Sequence, residues 1–287
     1  VIVPEVVPTE ILRLIETERV TKTFIVPAVI QFLLQEPACA GTDFSSLELI
    51  EYGASPIAQD VLRRALKAFG CHFIQLYGLT ETTGAITWLP PEDHDPDEHG
   101  AEGAGRMASC GKPWGDVELR VVGADGRDVA AGEVGEILCR SVQVMPGYWN
   151  RPEATAAAIR DGWFHTGDAG YLDRDGYLYI HDRIKDMIIS GAENIYPAEV
   201  ESALFDHPAV ADIAVIGVPD PRWGEVPKAV VVLAPGTSLD LESFQAFARE
   251  RLAGYKVPKS LSIVDALPRN PSGKILKRVL REAFAAG

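Results

Sequence analysis

Three groups of residues carry side chains whose types and spacing could do chemistry. In "YGLTETTG" (77–84) a hydroxyl and a carboxylate, Thr80 and Glu81, are neighbours, and Gly78 and Gly84 let the backbone come close to a ligand. The hydroxyl can bond a phosphate oxygen while the carboxylate holds a hard cation such as magnesium, although a polar loop tip would contain the same residues. In "WFHTGDAGYLDRDGYLYIHDRIKD", Asp168 is expected in a turn, and Arg183 follows it fifteen positions later. A carboxylate can accept bonds from both hydroxyls of a ribose, and a guanidinium can donate to the same sugar. Taken alone, Asp168 reads as an ordinary turn aspartate. The third group is "LPRNPSGKILKR" (267–278), where Lys274 follows Ser272-Gly273 near the end of the chain, a place where chains fray. A Gly-Lys pair also ends a phosphate-binding loop, but G-x-x-x-x-G-K-[ST] is absent, because the flanking residues are Arg269 and Ile275. A solitary lysine is ordinarily a solvated surface cation.

Other candidates carry less. His94 and His99 lie in "PPEDHDPDEHG", which reads as a solvated, proline-broken loop rather than a metal site. His165 and His181 have no Ser or Cys partner at a usable spacing and read as structural. "DRIKDMIISGAENIYPAEVE" joins a charged junction, an apolar strand "MIIS", a Gly191-Ala192 turn and a helix start at Pro197.

The elements that would position these groups alternate along the first hundred residues. A helix opens at Pro8-Thr9 and runs to about Arg19, "KTFIV" is a strand, and a second helix runs from Pro27 through Leu33-Leu34. "LELIEY" and "CHFIQLY" are strands on either side of the helix "AQDVLRRALKAFG". Such alternation predicts a mostly parallel sheet, with ligands beyond the carboxyl ends of its strands. Those ends are "YGASP" (52–56) and "YGLTETTG". From about 103 to 181, "VELRVVG", "GEILCRS" and "GYLYIHD" alternate around Gly- and Asp-rich turns, predicting a small antiparallel, barrel-like region that also holds a short helix in "NRPEATAAAIRDG". After Arg183 the pattern returns to α/β, and the best boundary falls at 182–186.

Composition bounds the function. The 287 residues suffice for two domains, and 47% hydrophobic with 24% charged residues marks a globular chain. With 27 basic against 41 acidic residues the net charge is −14, which disfavours nucleic-acid binding and requires local donors for any anion. Cys39, Cys71, Cys110 and Cys139 form no C-x-x-C pair and fit buried, reduced thiols in a cytoplasmic protein. No apolar run reaches the roughly 18 residues of a membrane span. "VIVPEVVPTE" has neither a signal-peptide pattern nor a methionine, and is expected to be the start of a fragment.

Taken in order, "YGLTET", "HTGD", "DRIKDMIISGAENIYPAEVE" and "PRNPSGK" resemble the AMP-forming acyl-CoA synthetases of the adenylate-forming superfamily, which also holds firefly luciferase and the adenylation domains of peptide synthetases. The resemblance runs over nearly the whole chain. It implies an ATP-dependent acid–CoA ligase, first of all a fatty acyl-CoA synthetase, that forms an acyl-adenylate and then a thioester. The ligands implied are ATP and AMP, Mg2+, coenzyme A and a small carboxylic acid. By resemblance, Ala54, Ser55 and Pro56 line the adenine, Gly53 and Gly78 the acyl substrate, and Tyr77 lies along the base. Thr80 holds phosphate, Glu81 holds the magnesium, and Asp168 and Arg183 grip the ribose. Lys185 matches a hinge, Gly191 borders the pantetheine channel, and Lys274 bridges the carboxylate substrate and the α-phosphate. The implied fold is α/β and α+β. It comprises a partial parallel α/β subdomain (1–102), an antiparallel β subdomain (103–182) and a mobile small α/β domain (183–287).

Two departures stand out. Gly191-Ala192 replaces the family's usual Gly-Gly. The Ser/Thr/Gly-rich loop ending in Pro-Lys-Gly, which cradles the outer phosphates of ATP, does not occur in the sequence. The chain therefore reads as the carboxy-terminal half of such an enzyme, inactive when isolated. An adenylation domain that loads a carrier protein, or a non-catalytic nucleotide-binding fragment, are the alternatives, with "SGAENIYPAEVE" closer to the CoA ligases. Assembly as a homodimer is compatible with the sequence.

Overall fold

The computed structural model describes residues 1–94, 105–191, 193–270 and 273–284, and by contact density it divides into two compact units. The first comprises Val1–Thr166 and Gly170–Ile180; the second comprises Gly167–Ala169 and His181–Gly287.

The first unit begins with helices α1 (Pro8–Thr17), α2 (Pro27–Gln35) and α3 (Gln59–Phe69) interleaved with strands β1 (Lys22–Ile25), β2 (Leu49–Gly53) and β3 (His72–Leu79). Proline opens α1 and α2 at the first turn, where its missing N–H costs nothing. Gly70, in the left-handed conformation at φ +62°, ends α3 and donates its N–H to Leu66. Strands β1, β2 and β3 are parallel; β4 (Gly84–Leu89) and β5 (Lys112–Pro113) extend the sheet antiparallel. The two antiparallel strands were not legible in the sequence, because β4 follows the "TETT" turn directly. Leu12, Ile30, Leu33, Leu62, Tyr52 and Phe73 fill the core between the helices and this sheet, each fully or almost fully buried. At roughly 1.5–3 kcal/mol for each large apolar side chain, this core holds the strand ends in place.

The antiparallel region comprises β6 (Glu118–Val122), β7 (Gly135–Arg140), β8 (Ile159–Arg160), β9 (Trp163–Leu172) and β10 (Leu178–Arg183), with α4 (Pro152–Ala158) before β8. The order is β10-β9-β7-β6, with β8 on β9. Among the described residues β6 and β10 do not pair, so the expected barrel-like region is an open sheet rather than a closed barrel.

The second unit is built on β11 (Ile188–Ser190), β12 (Glu193–Ile195), β13 (Val210–Asp220), β14 (Gly224–Leu233) and β15 (Ser260–Ile263), with helices α5 (Pro197–Phe205), α6 (Leu241–Arg249) and α7 (Lys277–Phe284). The β13–β14 hairpin is its centre. The two-residue period of a strand sends Ile213, Val215, Ala229 and Val231 into one cluster with Val200, Leu204 and Phe244 of α5 and α6. Ala214, Ile216, Val218 and Val230 point to the other face, against Leu280 of α7. Asp240 caps α6 by accepting the N–H of Ser243 at 2.9 Å.

Candidate active site

In the first unit the candidate residues sit at the carboxyl ends of β2 and β3. Gly53 is required by strand spacing: a Cβ there would lie 2.2 Å from the carbonyl oxygen of Leu76. Ala54 follows at φ +68°, a left-handed conformation that costs an L-residue roughly 1–2 kcal/mol. Strain of this kind at a strand end is characteristic of functional turns. It turns the chain outward, leaving Ala54 and Pro56 exposed and Ser55 half-buried.

Gly78 is equally constrained, since a Cβ would come within 1.9 Å of the Gly84 carbonyl oxygen. Tyr77, one residue earlier, packs its ring against the clusters around Ile86 and Ile137. The turn that follows separates three threonines that the sequence presents as alike. Thr82 is fully buried, and its hydroxyl lies 3.0 Å from the Leu79 amide nitrogen and 2.8 Å from the Gly84 carbonyl oxygen, closing the turn. Thr83 donates to the Gln143 carbonyl at 2.8 Å. Thr80 is left exposed beside the half-buried Glu81.

Glu81 is held from a segment the sequence reading passed over. The Tyr148 hydroxyl donates to its Oε1 at 2.8 Å, and the Met145 amide donates to its carbonyl oxygen at 2.7 Å. Gln143 Nε2 donates to the Ala85 carbonyl at 2.8 Å, so the stretch 143–148 braces the whole turn. No local pattern in the sequence marks Tyr148; in the structure Gly147 before it is pressed against Thr155 at φ +152°. Glu81 supplies hard oxygen, and no group of three or more His, Cys, Asp or Glu that could hold a metal occurs among the described residues. One carboxylate fits magnesium better than a protein-built cage would, because Mg2+ usually keeps its waters and takes phosphate oxygens.

In the second unit Asp168 lies within β9, not in a turn, and is almost fully buried. "HTGD" reads as a turn because of Gly167, which takes φ +69° without ending the strand. Arg183 Nε donates to Asp168 Oδ1 at 2.7 Å, so the two residues fifteen positions apart form an ion pair. Lys185 is exposed in the short helical turn Ile184–Asp186.

Lys274 does not sit on a frayed end. Its N–H bonds Asn270 Oδ1 at 2.9 Å and its carbonyl accepts from the Asn270 amide at 3.0 Å, closing a hairpin. Arg269 donates to the Gly273 carbonyl at 2.5 Å and to Asp212 on β13 at 2.6 Å, which ties the hairpin to the central sheet. Partial desolvation, then the nearby Arg183, push the Lys274 ammonium below its ordinary pKa; Asp168 and Asp186 oppose the shift.

Gly191 stands at φ +67°, with its N–H on the Trp223 carbonyl at 2.7 Å, and a Cβ there would meet the Trp223 ring at 3.1 Å. Ala192, Pro271 and Ser272 lie outside the described residues, as does His99. The segment around His94 departs from the expected solvated loop. His94 and Asp93 are buried, His94 Nε2 lies 3.0 Å from the Tyr52 hydroxyl, and Asp93 accepts from Tyr177 at 2.8 Å and Arg106 at 3.2 Å. Donors from three other segments replace the water that an acidic sequence leads one to expect.

Residues 1–149 match the model of the AMP-binding enzymes, and residues 199–274 match that of the AMP-binding enzyme C-terminal domain. The chain belongs to the AMP-binding enzyme family. It is 48% identical over 277 residues to a feruloyl-CoA synthase from an Amycolatopsis species, covering 96% of this chain and 54% of the relative. It is 43% identical over 265 residues to a fatty acid–[acyl-carrier-protein] ligase from Streptomyces coeruleorubidus, covering 92% and 50%. The chain thus spans about half the length of the curated relatives it matches. Among solved structures, an amide bond synthetase from Marinactinospora thermotolerans superposes with a TM-score of 0.87 at 37% identity, covering 98% of this chain and 56% of the other. The o-succinylbenzoate CoA synthetase of Bacillus subtilis in complex with its acyl-adenylate intermediate gives 0.83 at 37% identity, covering 96% and 54%. Among the described residues no helix of this AMP-binding enzyme chain is long and apolar enough to cross a membrane.

Proposed function

We propose that the protein containing this chain is an ATP-dependent acid–CoA ligase, of the fatty acyl-CoA synthetase type, working through an acyl-adenylate. The observation that carries the reading is the grouping in the second unit of a carboxylate–guanidinium pair, Asp168 and Arg183, with a lysine on a braced hairpin. In the first half-reaction a carboxylate oxygen of the acid attacks the α-phosphorus of ATP, and the bond to the β-phosphate breaks to release pyrophosphate. Lys274 offsets the charge that builds on the attacked phosphate and holds the acid's carboxylate beside it. Asp168 accepts from the ribose hydroxyls and Arg183 donates to them, while Thr80 donates to a phosphate oxygen. Ala54, Ser55, Pro56 and Tyr77 bound the adenine, and Gly53 and Gly78 border the acyl group. Glu81 would hold Mg2+, which when bound neutralises phosphate charge. In the second half-reaction the CoA thiol, as thiolate, attacks the acyl carbon and AMP leaves; Gly191 borders its approach. In this reading 1–102 and 103–182 are subdomains of the nucleotide-binding part, and 183–287 is a small domain turning about Lys185.

The test uses the full-length protein with ATP, Mg2+ and a panel of fatty and aryl acids, with CoA, a phosphopantetheinylated carrier protein or an amine as acceptor. Acid-dependent pyrophosphate release followed by acyl-CoA formation supports the reading; no acid-dependent release with any acid sinks it. The carrier-protein acceptor is kept because one relative is named for it. Transfer to the carrier in preference to CoA would select that second reading. For the 287 residues alone we expect AMP binding without pyrophosphate release, because the family's outer-phosphate loop is missing from this sequence. Calorimetric titration with AMP and a pyrophosphate assay check both halves of that expectation.

A further inference from the structure

Helix α7 begins three residues after Lys274, and two of its cations reach back to the segment that contains Arg183 and Lys185. Lys277 Nζ lies 2.8 Å from Glu201 Oε1 and 3.9 Å from Asp182 Oδ2. Arg281 Nη1 lies 2.8 Å from Asp186 Oδ1. Positions four apart share one face of a helix, so one face of α7 meets carboxylates on both sides of the Lys185 turn. These are not loose surface pairs: the Lys277 side chain is 12% exposed, with Asp182 at 9% and Asp186 at 13%. Asp182 is also tied locally, accepting from the Arg183 amide at 2.7 Å and from the Ala198 amide at the start of α5 at 2.8 Å. Glu201 accepts the Val215 amide at 2.6 Å, which extends the network into the central hairpin. On the adjoining, solvent-facing side of α7, Arg278 pairs with Glu282, one turn along the same helix, at 2.6 Å and largely in solvent.

We propose that Lys277 and Arg281 are positioning residues: through Asp182, Glu201 and Asp186 they clamp the segment 182–186 to α7 and so fix Lys274 against the Asp168–Arg183 pair. In the arrangement that serves the first half-reaction the clamp joins the Lys274 hairpin and the Arg183 segment through the same helix; its Asp182 arm lies before Lys185, so turning about Lys185 for the second half-reaction releases it. Neither Lys277 nor Arg281 touches reacting atoms. Their part in catalysis rests on the ligase reading above, but the geometry they hold can be measured without it.

The experiment follows the pH dependence of Lys274 acylation by acetic anhydride, read by mass spectrometry on the folded full-length protein. Arg281→Met is the main variant, since its side chain is partly exposed and its loss leaves the core in place. Lys277→Met is the second, and Arg278→Met, which removes the same charge outside the clamp, is the control. With the clamp released, Lys274 moves away from the Arg183 cation, so its titration shifts upward in Arg281→Met and in Lys277→Met but not in Arg278→Met. Arg281→Lys restores it. In an active ligase the two clamp variants slow acid-dependent pyrophosphate release on the order of 10- to 100-fold in kcat, with little change in KM for ATP. An unchanged Lys274 titration in folded Arg281→Met overturns the proposal, and so does an equal shift in Arg278→Met. A clamp-specific shift in a protein that releases no pyrophosphate keeps the clamp and discards the ligase reading.

Discussion

Replacing Lys274 by alanine removes a cation beside Arg183 and Asp168 but leaves the bonds from Asn270 to the hairpin backbone intact. Pyrophosphate release by the full-length protein should therefore fall by about two to three orders of magnitude, as for loss of one strong donor to a developing anion. Thioester formation from a supplied acyl-adenylate should stay near the wild-type rate. Equal slowing of both half-reactions would make the lysine a structural residue. Tyr148 is a second residue-level test. Tyr148→Phe deletes one hydrogen bond to the Glu81 carboxylate and keeps the ring, so the KM for Mg·ATP should rise about tenfold, the worth of a bond to a charged acceptor. An unchanged KM at limiting Mg2+ would show that Glu81 needs no brace. The sequence contained Lys274, Asp168, Arg183, Thr80 and Glu81 as candidates because their order matches a family. It named Thr80 beside Glu81 but gave no role to Thr82, whose burial closes the turn, or to Thr83, which bonds Gln143. Tyr148 was invisible for a related reason: a side chain sixty-seven positions from its acceptor leaves no local pattern.

At the scale of elements, periodicity and turn chemistry made the α/β alternation legible up to β3, and the two-residue period made β13 and β14 plain. What failed were elements decided by distant partners. Strand β4 starts at the turn itself, β9 passes through a glycine that looks like an end, and Asp93 and His94 are buried by donors that the acidic stretch around them does not announce. The His94 segment yields a prediction with a definite sign. Its ring is satisfied while neutral, with Nδ1 2.9 Å from the Pro90 carbonyl and Nε2 facing the Tyr52 hydroxyl, and burial lowers its pKa from the ordinary 6.5. Below that value the unfolded chain binds the proton more readily than the fold does. The contribution is therefore intact above pH 6.5 and is lost as the pH falls beneath it. His181 and His207 shift in the same direction and add to the slope. Between about pH 7 and 5, His94→Gln should show a flatter fall of Tm with acidity than the wild type, from a lower starting point. Parallel curves for the two proteins would remove His94 from the account.

For the whole molecule, the question is whether the two units stand on separate cores. Phe73 is completely buried in the first unit, between the ring of Phe69 at 6.4 Å and that of Tyr52 at 6.1 Å. Phe244 is completely buried in the second, against His207 at 6.0 Å and the Val215–Val231 face of the central hairpin. Each apolar cluster that contains one of them draws all its members from that residue's own unit. Truncating a buried phenylalanine to alanine costs about 3–5 kcal/mol, because contacts are lost and the cavity collapses only in part. A loss of that size is large against the roughly 5–15 kcal/mol that stabilises a typical domain, so it should be plain in a melting curve. Scanning calorimetry of the chain should resolve two transitions. Phe73→Ala should lower one and leave the other in place, and Phe244→Ala should do the reverse. If either substitution drags both transitions down together, the units fold as one cooperative body. A small domain that changes orientation between half-reactions would then have to do so without a core of its own, which is hard to reconcile with the proposed hinge at Lys185.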